Sequence, residues 1–373
     1  MRSRVALKML LHDKSTTAGS LIGVIAIVFL VGQQLSVLFG LFTYMSVLVD
    51  HSDADLWVCS RATNNINGAG MLPVRYLDRL HGLPQIAWAE PLLFGNGNLV
   101  TADGRNESMQ VVGVRLPRGA AGPWRFHQGR YEDLLQPDAI TLERLDLSIL
   151  GNPRIGDSIE INDTHTVVAA ITQSTKGFSG RLVFTTMGKA QEILQTPPGR
   201  CKAIMLKAAP GVSIDSMRAL IQRLLPDATV MTTAALSYAT RAYYVKNTGM
   251  GGSFGFSTMV GALVGIIIIT LTMYTAVLQR QKDFAVLRAL GARKIDILLI
   301  VLAQSVIIGL AGIFIGFMLL GGFLQGTLDS PLPSYMPRWI GPQLALGTLA
   351  LCVLGSLLAM RKAISVEPAS VFR

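Results

Sequence analysis

Four long stretches of the chain contain no Asp, Glu, Lys or Arg: residues 15–49, 247–279, 297–328 and 339–360. They are 35, 33, 32 and 22 residues long. A bilayer core about 30 Å thick is crossed by about 20 apolar residues in a helix, the form in which one segment satisfies all its own backbone groups. Each stretch can therefore span, and the first three have roughly ten residues to spare for tilt or for helix beyond the membrane. Arg2, Arg4, Lys8 and Lys14 precede the first stretch, as in a signal peptide. Its apolar run exceeds the usual length of about 7–15 residues and no small-x-small cleavage site ends it, so an uncleaved anchor is expected.

Composition fits this picture. Half of the 373 residues are hydrophobic, 15% are charged and the mean hydropathy is +0.45. Soluble domains carry about 25% charged residues. The apolar content excludes intrinsic disorder, and three Cys exclude a disulfide scaffold. In a soluble protein the net charge of +10 would suggest nucleic acid. With four spans and a cytoplasmic N-terminus, the inside holds twelve bases against four acids, a net +8, and the outside only +2. Short positive segments belong in the cytoplasm. The expectation is a multi-pass membrane protein with both termini cytoplasmic and no nucleic-acid partner.

The expected fold class is an α-helical membrane protein with four transmembrane helices and a large α+β periplasmic domain between helices 1 and 2. The expected division is a cytoplasmic N-terminus (1–17), helix 1 with an outer extension (18–49), the outer domain (50–246), helix 2 with its stalk (247–279), a cytoplasmic loop (280–296), helix 3 (297–328), a short Pro-rich outer loop (329–338), helix 4 (339–360) and a cytoplasmic tail (361–373). In the outer domain, 55–59 reads as a strand, and 92–116 as paired strands around hairpin turns at Asn96-Gly97 and Asp103-Gly104. Residues 156–168 alternate on either side of an Asn162-Asp163 turn. Residues 181–186 and 203–207 are further strands, and 74–81 and 213–225 are helices, the second with Ser213 as N-cap. Residues 234–246 read as a stalk helix running into helix 2. Cys59 and Cys201 lie outside, where a disulfide and two buried thiols are both open, the second favoured.

Catalytic signatures are missing. There is no G-x-x-x-x-G-K-[ST] loop; Gly122 and Gly129 are followed by Arg130 at the wrong spacing. The five His form no metal-ligand pair and no G-x-S-x-G elbow occurs. No acid interrupts a span, so a proton relay has no candidate. Gln33, Gln34 and Gln304 read as interhelical hydrogen bonders in preference to substrate contacts. Gly19, Gly23, Gly261, Gly265, Gly309, Gly312 and Gly316 recur at small-residue spacings that allow close helix packing, including packing on a partner protomer.

The most informative stretch is Arg280-Gln281-Lys282-Asp283-Phe284-Ala285-Val286-Leu287-Arg288-Ala289-Leu290-Gly291-Ala292. It reads as a short amphipathic helix with Phe284, Leu287 and Leu290 on one face and Gly291 as its C-terminal cap. From pattern alone it either lies on anionic lipid or docks into a partner protein. The run resembles the loop between the second and third spans of the MacB/FtsX/LolC permease superfamily, the type VII ABC transporters, approximately R-x-K-E-x-[AG]-x-L-[RK]-A-[LI]-G-A. Arg280, Lys282, Ala285, Leu287, Arg288, Ala289, Leu290, Gly291 and Ala292 match. Asp283 stands where Glu is usual, and Ala303-Gln304-Ser305 replaces a common Glu-Ser. The tail Arg361-Lys362-Ala363 with Glu367-Pro368-Ala369 also fits. Among these permeases, the short N-terminus, Ala54-Asp55-Leu56-Trp57-Val58 and the lack of a fused ATPase look most like the DevC type.

The resemblance implies a MacB-like outer domain and a chain that is not itself an enzyme. It implies two separate ABC ATPase subunits, which bind ATP and Mg, and a second permease protomer. This chain would bind no cofactor or metal. Residues 280–292 would be the coupling helix, comprising Arg280, Lys282, Asp283, Phe284, Leu287, Arg288, Ala289, Leu290, Gly291 and Ala292, with Arg280, Lys282 and Arg288 setting orientation through charge and Phe284, Leu287 and Leu290 supplying buried contact. The work done would be mechanotransmission: ATPase motion carried by helical levers to the outer domain, to export or extract a lipid, glycolipid, lipoprotein or drug-like substrate. A periplasmic membrane-fusion adaptor, an outer-membrane channel and membrane lipids are the further partners implied. The alternative is an FtsX-like signalling subunit that activates a cell-wall hydrolase.

Overall fold

The structure is a computed structural model, and it describes residues 10, 14–101, 104–116, 118–178, 180–279, 286, 291–328, 330 and 332–364. Along the chain, α1 (Lys14–Met45) and the single turn α2 (Val47–Asp50) precede β1 (Leu56–Ser60) and β2 (Leu72–Pro73). Next come α3 (Tyr76–His81), the long β3 (Ile86–Val100), β4 (Asn106–Val114), β5 (Phe126–Gln128), β6 (Ala139–Glu143), β7 (Ser158–Ile161) and β8 (Thr164–Thr172). They are followed by β9 (Lys176–Gly177), β10 (Gly180–Thr186), α4 (Met187–Ile193), β11 (Arg200–Cys201), β12 (Ala203–Ala208), α5 (Ile214–Leu224), β13 (Ala228–Thr232) and α6 (Thr233–Asn247). Then follow α7 (Met250–Gln279), α8 (Lys294–Gly326) and α9 (Ile340–Ile364). The chain divides into two compact units, Met1–Gly40 with Gly252–Arg373, and Leu41–Gly251.

The first unit is helical. Thr17–Met45, Met250–Thr272, Ile295–Gly326 and Ile340–Leu357 are each long and apolar enough to cross a membrane. Val24, Ile27, Val301, Ile308 and Cys352 share a buried cluster at its centre. Ser356 donates from Oγ to Ser305 Oγ at 3.3 Å, a polar contact between α9 and α8. After α8 the chain returns against α1, where the Tyr335 N–H donates to the Ser36 carbonyl at 2.9 Å and Trp339 meets Phe39 edge-on at 5.5 Å.

The second unit is built on one sheet of eleven strands, in the order β13-β1-β12-β3-β4-β10-β6-β8-β5, with β7 joining β3 to β8 and β9 joining β10. β3 is the shared member: its first half pairs with β12 and its second half with β4. Alternation along the strands sends successive side chains to opposite faces. Leu56 and Val58 pack with α3 and α5, among Leu77, Leu80, Met217 and Ile221. Trp57 and Cys59, their neighbours, enter a cluster on the other face with Met205, Phe94, Val112 and Phe184. Val47, Leu48 and Val49 of α2 and Leu236 of α6 cover that cluster. Beyond β3, Leu93, Val111, Val183 and Val168 form a third cluster with Ile193. Both faces are thus buried, which is why several strands read as apolar runs.

The Asn162-Asp163 hairpin forms as its sequence predicts, with both residues at positive φ, 48° and 59°, as a two-residue hairpin turn requires. Asn96-Gly97 is different: it lies inside β3, paired with Gln110 and Met109. A Cβ at Gly97 would lie 2.9 Å from Ile161, so this glycine serves close strand approach. The reversal comes later, between β3 and β4, where Gly104 has φ +80°. Ser213 does precede α5, but its side chain makes no capping bond. The stalk helix and helix 2 are also not one rod. α6 ends at Asn247, Thr248 turns its Oγ1 onto the Tyr244 carbonyl at 2.6 Å, Gly249 adopts φ +71°, and α7 begins at Met250.

Candidate functional site

Of residues 280–292, Val286, Gly291 and Ala292 are described; Arg280, Lys282, Asp283, Phe284, Leu287, Arg288, Ala289 and Leu290 lie outside the described residues. Val286 is exposed. Gly291 adopts φ +95°, a region that a side chain disfavours and that suits a helix C-cap. Arg293 then caps α8: its N–H donates to Asp296 Oδ2 at 3.0 Å, and the Asp296 N–H donates to the Arg293 carbonyl at 2.9 Å. A carboxylate in the first turn of a helix is favoured by the unpaired N–H groups there. The segment thus passes from a left-handed glycine directly into a capped helix.

The singled-out glycines fall into two groups. A Cβ at Gly312 would lie 2.6 Å from Val24, one at Gly316 2.7 Å from Val28, and one at Gly23 2.7 Å from Ile268. One at Gly265 would collide with Ile27, and one at Gly309 would lie 3.1 Å from Leu349. These five sit at tight helix crossings of α1 with α7 and α8, and of α8 with α9. Gly261 is only in ordinary contact, 3.8 Å from Val31, and Gly19 has nothing within 4 Å.

In the second unit, polar groups that motif reasoning missed gather where α1 ends. Arg241 of α6 donates from Nη2 to Asp50 Oδ2 at 2.5 Å and from Nε to Ser46 Oγ at 2.9 Å, while Ser46 Oγ donates to Asp50 Oδ2 at 2.7 Å. A weak signal existed: Arg241 is alone among the charges of residues 228–245, and Asp50 closes the first charge-free stretch. Helix termini leave their last carbonyls without intrahelical partners. Here the Phe178 N–H caps the Tyr44 carbonyl at 3.1 Å, and Asn67 Nδ2 caps that of Met45 at 2.8 Å.

Burial shifts several groups. Glu90 is raised above the usual carboxylate range by burial, against the Ala120 N–H and the Arg118 and Arg115 guanidinium groups. Cys59 and Cys201 are free buried thiols, each pushed up to about 12 by desolvation. Of the two options open in the sequence, the structure has two buried thiols.

Comparison with known proteins bears directly on this architecture. Residues 16–224 match the MacB-like periplasmic core domain, and residues 255–368 match the FtsX-like permease C-terminal domain. A helix-anchored mixed domain followed by three apolar helices therefore defines a membrane permease. The chain belongs to the MacB/FtsX family of ABC transporter permeases. An uncharacterized ABC transporter permease of Mycobacterium bovis is 26% identical over 81% of this chain and 80% of its own length. One from Methanocaldococcus jannaschii is 36% identical over 24% of this chain, an alignment that spans only 23% of that relative. Another, from Mycobacterium tuberculosis, is 26% identical over 54% of this chain and is spanned over 24% of its length. The periplasmic region of MacB from Actinobacillus actinomycetemcomitans is similar over 50% of this chain and 92% of its own, at 13% identity and a TM-score of 0.39.

Proposed function

We propose that this permease is the transmission subunit of an ATP-driven exporter in the bacterial inner membrane, with both termini cytoplasmic and its α+β domain in the periplasm. It works as a pair, as a homo- or heterodimer, with two ATPase subunits that hold ATP and Mg. Residues 280–292 are the coupling segment seated on the ATPase. Phe284, Leu287 and Leu290 supply buried contact, and Arg280, Lys282 and Arg288 supply orientation through charge. The observation that carries the proposal is α1, one unbroken helix from Lys14 to Met45 that contributes to both compact units. A helix without a break passes on displacement along its axis with little loss. α6 and α7 are separated at Gly249, so we assign them a hinged role in place of a second rigid lever.

The free energy comes from ATP on the partner, and this chain conveys it. Substrates of the lipid, glycolipid, lipoprotein or drug-like class would be moved by the outer domain together with a periplasmic adaptor and outer-membrane channel. The test is purification of the intact complex, with mass spectrometry of its proteins and lipids. An ABC ATPase with an adaptor supports export. An ATPase with a cell-wall hydrolase and no adaptor replaces export by FtsX-like signalling. Absence of any ATPase contradicts both.

A further inference from the structure

β9 and β10 form a tight hairpin, pairing Gly177 with Gly180 and Lys176 with Arg181, so that Phe178 stands at its tip. The tip reaches the last turn of α1 and the last turn of α6 together. The Phe178 N–H caps the Tyr44 carbonyl, and the Phe178 ring packs on the Tyr244 ring at 4.4 Å with a 60° tilt. One residue thus touches both helices that lead out of the outer unit.

The base of this hairpin is held by buried polar contacts. Glu143, at the end of β6, is 1% exposed. Its Oε1 accepts from the Ser174 N–H at 2.9 Å. Its Oε2 accepts from the Thr175 N–H at 2.9 Å, from Thr175 Oγ1 at 2.6 Å and from Thr172 Oγ1 at 3.3 Å. Asp146, also buried, pairs with Lys176 Nζ at 3.1 Å and lies 3.3 Å from Arg181 Nε, and Arg181 Nη1 donates to Glu107 Oε2 at 2.8 Å. Trp124 Nε1 donates to the Ser174 carbonyl at 3.0 Å. Charge-assisted hydrogen bonds in a water-poor site are strong and directional. These contacts tie the hairpin to β6 and β4, and its second strand, β10, lies between those two strands in the middle of the sheet.

We propose that Phe178 is a positioning residue for transmission: it senses the relative placement of α1 and α6 and the Glu143-anchored hairpin delivers that movement to the β4-β10-β6-β8 half of the sheet. The proposal rests on the transmission role above. Coupling of this kind needs an element that both sites bias, and the hairpin is the candidate element. Phe178→Ala removes the ring contact and leaves every bond of Glu143 in place. Phe178→Tyr restores the ring.

The test is amide hydrogen exchange on the full-length permease purified with its ATPase, without nucleotide and with a non-hydrolysable ATP analogue. The wild-type complex is expected to change exchange on nucleotide binding in α6 and in β6, β8 and β10. Phe178→Ala should keep the change in α6 and lose it in the three strands, and Phe178→Tyr should regain it. If the Ala variant does not fold, Phe178→Leu keeps apolar bulk without the ring and is read in the same way. An undiminished change in the strands of the ring-less variant overturns the role of Phe178 alone. A wild-type complex with no change in α6 overturns the transmission role and this proposal with it.

Discussion

Arg241 of α6 and Asp50 at the end of α2 are tied together through a 2.5 Å ion pair, with Ser46 bonded to both. The pair is partly exposed, with side-chain accessibilities of 37% and 30%, so solvent screens it. Each single substitution, Arg241→Ala or Asp50→Ala, should cost about 1 kcal/mol. A double-mutant cycle read by thermal unfolding of the full chain should give a coupling of about 0.5–1 kcal/mol. Additive single effects would show that the two groups act independently.

The helix crossings make a sharper contrast. Gly312→Val and Gly316→Val insert methyl groups into space that Val24 and Val28 already fill. Overpacking of this kind costs about 1–3 kcal/mol. Gly19→Ala, with open space around it, should be neutral or slightly stabilising, since Ala is the better helix former by about 1 kcal/mol. Melting of the three variants in detergent separates these outcomes. Equal losses at Gly19 and Gly312 would contradict the packing.

The buried thiols give a pH prediction. Cys59 and Cys201 have folded values near 12 against an ordinary 9.0. A raised thiol value contributes stability that is fully present below pH 9 and is lost as pH rises towards 12. Alkylation of both thiols at pH 8 should therefore be negligible in the folded chain and rapid after unfolding. Prompt modification of the native protein would contradict their burial.

What the sequence reveals here follows the strength of the local physics. Four uncharged stretches are legible because a bilayer tolerates so little else, and Asn162-Asp163 because few residues accept positive φ twice in succession. Asn96-Gly97 carries the same turn signal but sits in β3, since Gly97 answers a neighbour, Ile161, that is distant in sequence. β6 is fully buried and short, and only its pairing with β8 and β10 makes it a strand. Glu143, Asp146, Lys176 and Arg181 carry no motif because they meet only after the sheet is assembled. The break at Gly249 is visible as a glycine, yet two and three residues further on Gly251 and Gly252 are helical, so composition alone does not place it.

The central claim is that residues 280–292 seat an ATPase. Its most direct test is co-purification of the ABC ATPase with full-length permease carrying Leu287→Asp or Arg288→Glu. Both variants should insert and fold as wild type does, yet lose most of the ATPase from the purified complex. Wild-type amounts of ATPase on both variants would contradict the assignment.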